Sequence, residues 1–119
     1  MKILLVDDEE ELVSTLAERL SLREIDADWV TTGEDALKRV DTENYDLAVL
    51  DVKIPKISGI EIKKKLAVKC PDMKFIFMTG HGSEDNFKAG SAEAGPEYYL
   101  PKPVSIKTLI KKINDVLRK

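Results

Sequence analysis

The sequence predicts a three-layer α/β sandwich around a five-stranded parallel sheet with five helices. Three observations carry this. The short apolar runs Ile3–Val6, Leu47–Leu50 and Phe75–Met78 lack the polar alternation of a half-exposed strand, so they read as strands buried on both faces. Segments with apolar residues at helical spacing lie between the runs. Strands that alternate with helices in this way pair in parallel, since each crossover must be a right-handed strand–helix–strand unit.

The elements follow in order. Ile3-Leu4-Leu5-Val6 is the first strand, and Leu12, Val13, Leu16, Ala17 and Leu20 put one apolar stripe on a helix over 9–21. Ala27–Val30 is the second strand. Thr31-Thr32-Gly33-Glu34-Asp35 supplies capping hydroxyls and early acids, opening a short helix to about Val40. Leu47-Ala48-Val49-Leu50 is the third strand and ends on Asp51. After a loop with Pro55 and Gly59, Ile62, Leu66 and Cys70 mark a helix closed by Pro71. Phe75–Met78 is the fourth strand. A helix is expected within 84–94, where Gly90 costs about 1 kcal/mol relative to Ala. Tyr98-Tyr99-Leu100 is a short fifth strand stopped by Pro101 and Pro103. Ser105 caps a last helix that turns Ile106, Leu109, Ile110, Ile113 and Leu117 inward.

A chain of 119 residues fits one domain over 1–119 and can bury one core without disulfides or structural metal. The net charge of −3 argues against direct nucleic-acid binding, which needs a concentrated basic face. One cysteine, Cys70, excludes an internal disulfide and points to a reduced, cytoplasmic setting. No apolar run exceeds four residues, far below the ~18 needed to span a bilayer, so no membrane role is expected. The six basic residues from Lys102 onward read as a solvated helix face rather than a binding patch.

Ligands of an open parallel sheet bind beyond the carboxyl ends of its strands, where the strand order reverses. The first strand delivers Asp7 and Asp8 to that edge, the third Asp51, the fourth Thr79 and the fifth Lys102. In the flavodoxin-like order 2-1-3-4-5 the first and third strands are neighbours, so the three aspartates converge. Carboxylates this close repel unless a counter-charge is present. Oxygen ligands without Cys or His select a hard ion, and a few carboxylates with waters and phosphate oxygens suit Mg²⁺. Phosphoryl transfer uses such parts: an in-line nucleophile, a metal and a cationic clamp. A carboxylate can be the nucleophile, and Asp51, alone on the central strand, is the best candidate. Each piece has an ordinary explanation when taken alone. Asp7-Asp8-Glu9-Glu10 can be a helix N-terminal signal, Asp51 a cap, Thr79-Gly80 a turn and Lys102 a surface residue. Their joint placement at one sheet edge outweighs these readings. His81 is read as a polar loop residue.

These residues bring a resemblance with them. Ile3-Leu4-Leu5-Val6-Asp7-Asp8-Glu9, Leu50-Asp51-Val52-Lys53-Ile54-Pro55 with Gly59, Met78-Thr79-Gly80-His81 and Tyr98-Tyr99-Leu100-Pro101-Lys102-Pro103 together resemble the receiver domain of bacterial response regulators, across essentially the whole chain. The resemblance implies that Asp51 accepts a phosphoryl group from a sensor histidine kinase or phosphotransfer protein. It implies that Asp7, Asp8, Asp51 and the backbone carbonyl of Lys53 help bind Mg²⁺, and that Thr79 and Lys102 engage the phosphoryl oxygens. Tyr99 matches the aromatic that swings inward when Thr79 is drawn to the phosphate. The Lys102–Pro103 bond is cis in the family. Lys53 and His81 are placed to influence the lifetime of the aspartyl phosphate. The segment from Thr79 to Lys102 is slightly longer than usual in the family and carries Gly90 and Gly95-Pro96.

The implied function is a two-component signalling switch more than an enzyme, with self-catalysed phosphorylation and dephosphorylation only. Its partners would be the kinase and a downstream output domain or protein, with a phosphorylation-dependent homodimer as a further expectation. Two other readings are weaker. A flavin or nucleotide binder would carry a Gly- or Ser/Thr-rich phosphate loop after the first strand, where this chain has acids. A Mg²⁺-dependent aspartyl-phosphate phosphatase would carry its nucleophile on the first strand, a second acid two positions on, and a cap.

Overall fold

The computed structural model describes residues 1–53, 57–79 and 99–117, with Thr79 described by its backbone. The elements run β1 (Lys2–Val6), α1 (Glu10–Ser21), β2 (Asp26–Val30), α2 (Gly33–Thr42), β3 (Leu47–Asp51), α3 (Gly59–Lys69), β4 (Lys74–Thr79), β5 (Tyr99–Pro101) and α4 (Ile106–Leu117). All strand pairs are parallel, in the order β2-β1-β3-β4-β5. This is the expected flavodoxin-like sheet. Four helices lie among the described residues, and the helix expected within 84–94 falls outside them, as do Pro55 and His81.

The unbroken apolar strands follow from double coverage. Ile3 and Leu5 of β1 join Leu47 and Val49 of β3 in a core with Val13, Leu16, Leu20, Leu109 and Ile113 of α1 and α4. Leu4 and Val6 turn the other way, to a second core with Ala48, Leu50, Ile62, Leu66 and Phe77 under α2 and α3. Successive side chains on a strand alternate between faces, so a strand with a helical layer on each side must be apolar throughout. Within α4, Val116 is buried, while Ile106, Ile110 and Leu117 are only partly covered.

The helix ends are set locally. Thr32 Oγ1 accepts from Asp35 N at 3.0 Å, and Ser58 Oγ accepts from Glu61 N at 3.2 Å, so each supplies an acceptor to an otherwise orphaned N–H. Ser105 Oγ accepts from Thr108 N at 3.1 Å at the start of α4. The α3 start at Ser58-Gly59 is clearer in the structure than in the sequence, where only its end at Pro71 gave a strong signal. Gly59 N donates to Val52 O at 3.0 Å, which folds the chain back beneath the end of β3. A Cβ on Gly59 would fall onto the carbonyl oxygen of Asp51.

Gly59→Ala is therefore expected to destabilise the chain by about 1–3 kcal/mol through this backbone clash, although Ala is the better helix former by about 1 kcal/mol. Gly33→Ala, whose added carbon meets the side chains of Ile57 and Ile62 rather than backbone, is expected to cost less. Urea denaturation of both variants checks the order, and a Gly59→Ala protein as stable as the parent would contradict it.

Candidate functional site

The strand register assembles the site. Val6 of β1 lies level with Leu50 of β3, so the next residues, Asp7 and Asp51, stand side by side at the switch point. Asp51 is level with Met78, which places Thr79 one step further along β4. Thr79 pairs with Pro101, so Lys102 begins one step beyond that, and its long side chain runs back towards the aspartates. The Lys102–Pro103 peptide bond is cis.

Asp7 is fully buried and Asp51 nearly so, while Asp8 is exposed. One carboxylate oxygen from each of Asp7, Asp8 and Asp51 falls within 4.8 Å of the others. Lys102 Nζ lies 2.8 Å from Asp7 Oδ2, 2.8 Å from Glu9 Oε1 and 3.4 Å from Asp51 Oδ2. The remaining oxygens have backbone donors: Glu9 N donates to Asp7 Oδ1 at 2.9 Å, and Lys53 N donates to Asp51 Oδ1 at 3.4 Å. At this spacing a pair of carboxylates repels by roughly 3 kcal/mol at an effective protein dielectric.

The protonation behaviour follows. Burial, then the neighbouring charge of Asp7, pushes Asp51 up to about 6, with Lys102 and the Lys53 N–H pulling the other way. Burial likewise raises Asp7, partly offset by its contacts with Lys102 and Glu9 N. Burial disfavours the Lys102 ammonium, but its contacts with Asp7 and Glu9 and the charge of Asp51 prevail and hold it charged well above its usual range. Asp7, Asp8, Asp51 and Glu9 around one ammonium leave the cluster net negative. The two positive charges of one small ion would offset most of that excess. The donor set among the described residues is all oxygen, without Cys or His, and fits Mg²⁺ or Mn²⁺ rather than a softer metal.

Of the residues anticipated from the sequence, Asp7, Asp8, Asp51 and Lys102 come together here. The Lys53 backbone sits beside Asp51, with its side chain exposed. The backbone of Thr79 ends β4 at the same edge. Tyr99 is buried on β5, its ring 6.0 Å from that of Phe77 and tilted by 38°. Glu9 was not singled out in the sequence, where it reads as part of an acidic helix start. Its partner lies 93 residues along the chain, and no local pattern announces such a contact.

Because the folded protein holds the Asp51 proton more tightly than the unfolded chain, ionising Asp51 lowers stability as pH rises from about 4 to 6, and the deficit persists above that. In metal-free buffer Asp51→Asn is expected to be more stable than the parent at pH 8, by roughly 3 kcal/mol, with the gap closing towards pH 4. Thermal melts across that range check it, and a gap that does not change with pH would contradict the assigned cause.

The chain is similar to proteins of a known family. The response regulator receiver domain profile matches residues 3–114. The alkaline phosphatase synthesis transcriptional regulatory protein PhoP of Bacillus subtilis is 36% identical over 118 residues, covering 99% of this chain and 49% of that protein. The transcriptional regulatory protein CpxR of Escherichia coli K12 is 39% identical over 118 residues, covering 99% and 50%. The chain thus spans about half the length of the curated relatives it matches. Among solved structures, a CheY-like receiver domain protein from Methanospirillum hungatei superposes with a TM-score of 0.87 at 31% identity, covering 98% of this chain and 93% of that one. A receiver domain protein from Clostridium thermocellum gives 0.85 at 32% identity, covering 98% and 94%. A profile match over nearly the full length, with relatives above 30% identity across all but the chain's ends, means that this chain belongs to the response regulator receiver domain family.

Proposed function

We propose that Asp51 is the phosphoacceptor of this receiver domain and that the sheet edge around it performs the transfer. The observation that supports this most is the meeting of Asp7, Asp8 and Asp51 within 4.8 Å beside the Lys102 ammonium. An Asp51 carboxylate oxygen forms a bond to the phosphorus of a phosphohistidine or small acyl phosphate. The donor's bond to phosphorus breaks, and its electron pair leaves with the donor nitrogen or oxygen. Asp7 and Asp8, with Asp51 and the Lys53 carbonyl, would hold a Mg²⁺ ion, which when bound supplies charge neutralisation for the phosphoryl oxygens. Lys102 stands close enough to Asp51 to follow the charge onto the transferred group. Thr79 and Tyr99 belong to the reading as the switch, with Thr79 drawn to the phosphoryl group and Tyr99 repacking beside Phe77. Such a local change in charge would bias two packings of one face.

The kinase or phosphotransfer donor, an output domain or protein, and a phosphorylation-dependent homodimer are the partners this reading implies. A single domain over 1–119, working in the cytoplasm without direct contact to nucleic acid, completes it. No described helix is long and apolar enough to cross a membrane.

Incubation with acetyl phosphate and Mg²⁺ is expected to raise the intact mass by one phosphoryl group, while Asp51→Asn or added chelator prevents the gain. A phosphorylated Asp51→Asn protein would refute the assignment. Asp8→Ala is expected to abolish the modification and leave the thermal melt in place, because it removes a repelling, exposed carboxylate. Loss of the fold in that variant would instead make the cluster structural.

A further inference from the structure

Glu9 occupies the residue before α1 but does not cap it. At that position Ser, Thr, Asp or Asn commonly accepts a hydrogen bond from the first turn, and the Glu9 side chain accepts none. Its carboxylate instead reaches across the sheet edge to Lys102 Nζ at 2.8 Å. The lysine is thereby held between two acids at 2.8 Å, Asp7 and Glu9, while Asp51 lies farther off at 3.4 Å. The two holds differ in kind. The Asp7 side chain is fully buried, whereas that of Glu9 is 61% exposed. An exposed ion pair is weak and readily exchanged, on the order of 0–1 kcal/mol.

We propose that Glu9 is a positioning residue, a releasable tether that holds Lys102 back from Asp51 until a phosphoryl group competes for the ammonium. The inference rests on Asp51 being the phosphoacceptor. An ammonium has three hydrogens. One is donated to Glu9, Asp7 stands in ion-pair contact at the same distance, and the approach to the Asp51 oxygen is the longest of the three contacts. Phosphoryl transfer adds oxygens at Asp51, and Lys102 must give up a partner to meet them. Glu9 is the partner that water can replace, while Asp7, buried beside the same ammonium, cannot be left alone without a large cost. Release of Glu9 therefore accompanies phosphorylation, and the tether sets how easily Lys102 responds.

Two substitutions separate the tether from its charge. Glu9→Gln removes the charge and the ion pair. Glu9→Asp keeps the charge but is one methylene too short to hold Lys102, and it is a better residue for the position before a helix. Glu10→Gln removes the same charge one residue on, where no contact with Lys102 is seen. The rate of phosphorylation by acetyl phosphate at saturating Mg²⁺ is expected to rise about three- to tenfold for both Glu9 variants and to change less than about twofold for Glu10→Gln. In a Lys102→Arg background the effect of Glu9→Gln is expected to shrink or vanish, because the two residues act through one contact. Glu9 variants at or below the parent rate would overturn the tether. So would acceleration by Glu9→Gln with Glu9→Asp at the parent rate, or equal acceleration by Glu10→Gln, because either shows a charge effect only. If the parent itself gains no phosphoryl group at Asp51, the phosphoacceptor reading has failed instead. Melting temperatures close to the parent's keep a folding defect from being mistaken for a change in rate.

Discussion

Repulsion between carboxylates at one point of the sheet edge governs this molecule. Asp7 and Asp51 leave neighbouring strands level with each other, and Asp8 follows at once. Neither buried acid can ionise cheaply, which is why burial pushes Asp51 up to about 6 and raises Asp7 as well. Lys102 answers part of the charge, and the remainder calls for either protons or a divalent ion. A site in that condition is poised: an added phosphoryl group or a bound cation changes the balance at a place where every neighbouring group feels it.

The architecture exists to hold that balance in one place. Four strands end at the same edge, and their register staggers the polar residues so that Lys102, the last to arrive, can lie back over the first. Two apolar cores, one on each side of the sheet, fix the strands that carry the acids. Gly59 lets α3 begin directly under the carbonyl of Asp51, and the Lys53 N–H donates to the Asp51 carboxylate. Packed cores are stiff, so a carboxylate supported this way cannot simply move away from its neighbours when it ionises.

Much of this was legible in the chain itself. The four-residue apolar runs marked buried strands because only a doubly covered strand can dispense with polar alternation, and β1, β3 and β4 lie where those runs are. The polar residue after each run then had to lie at the carboxyl edge, which placed Asp7, Asp51 and Thr79, and the short fifth strand placed Lys102 beside them. Element ends were less clear. Asp26 joins β2 and Asp41-Thr42 extend α2 because hydrogen bonding, not hydropathy, sets those limits. The start of α3 at Ser58-Gly59 was hidden for the opposite reason: the capping serine is a weak signal in isolation, and the need for glycine comes from the distant backbone of β3. Glu9 was hidden most completely, since an acid at a helix start has a sufficient local explanation and its contact with Lys102 exists only once the sheet is assembled.

The central claim, that buried aspartates share an edge where charge is not fully compensated, can be observed one carboxyl group at a time. Carbon-13 NMR of the aspartate carboxyls through a pH titration, without metal and again with saturating Mg²⁺, is the most direct measurement. Asp51 should titrate near pH 6 in the metal-free protein and move well below that with Mg²⁺ present. An Asp51 that titrates in the ordinary carboxylate range and ignores Mg²⁺ would contradict the account at its foundation.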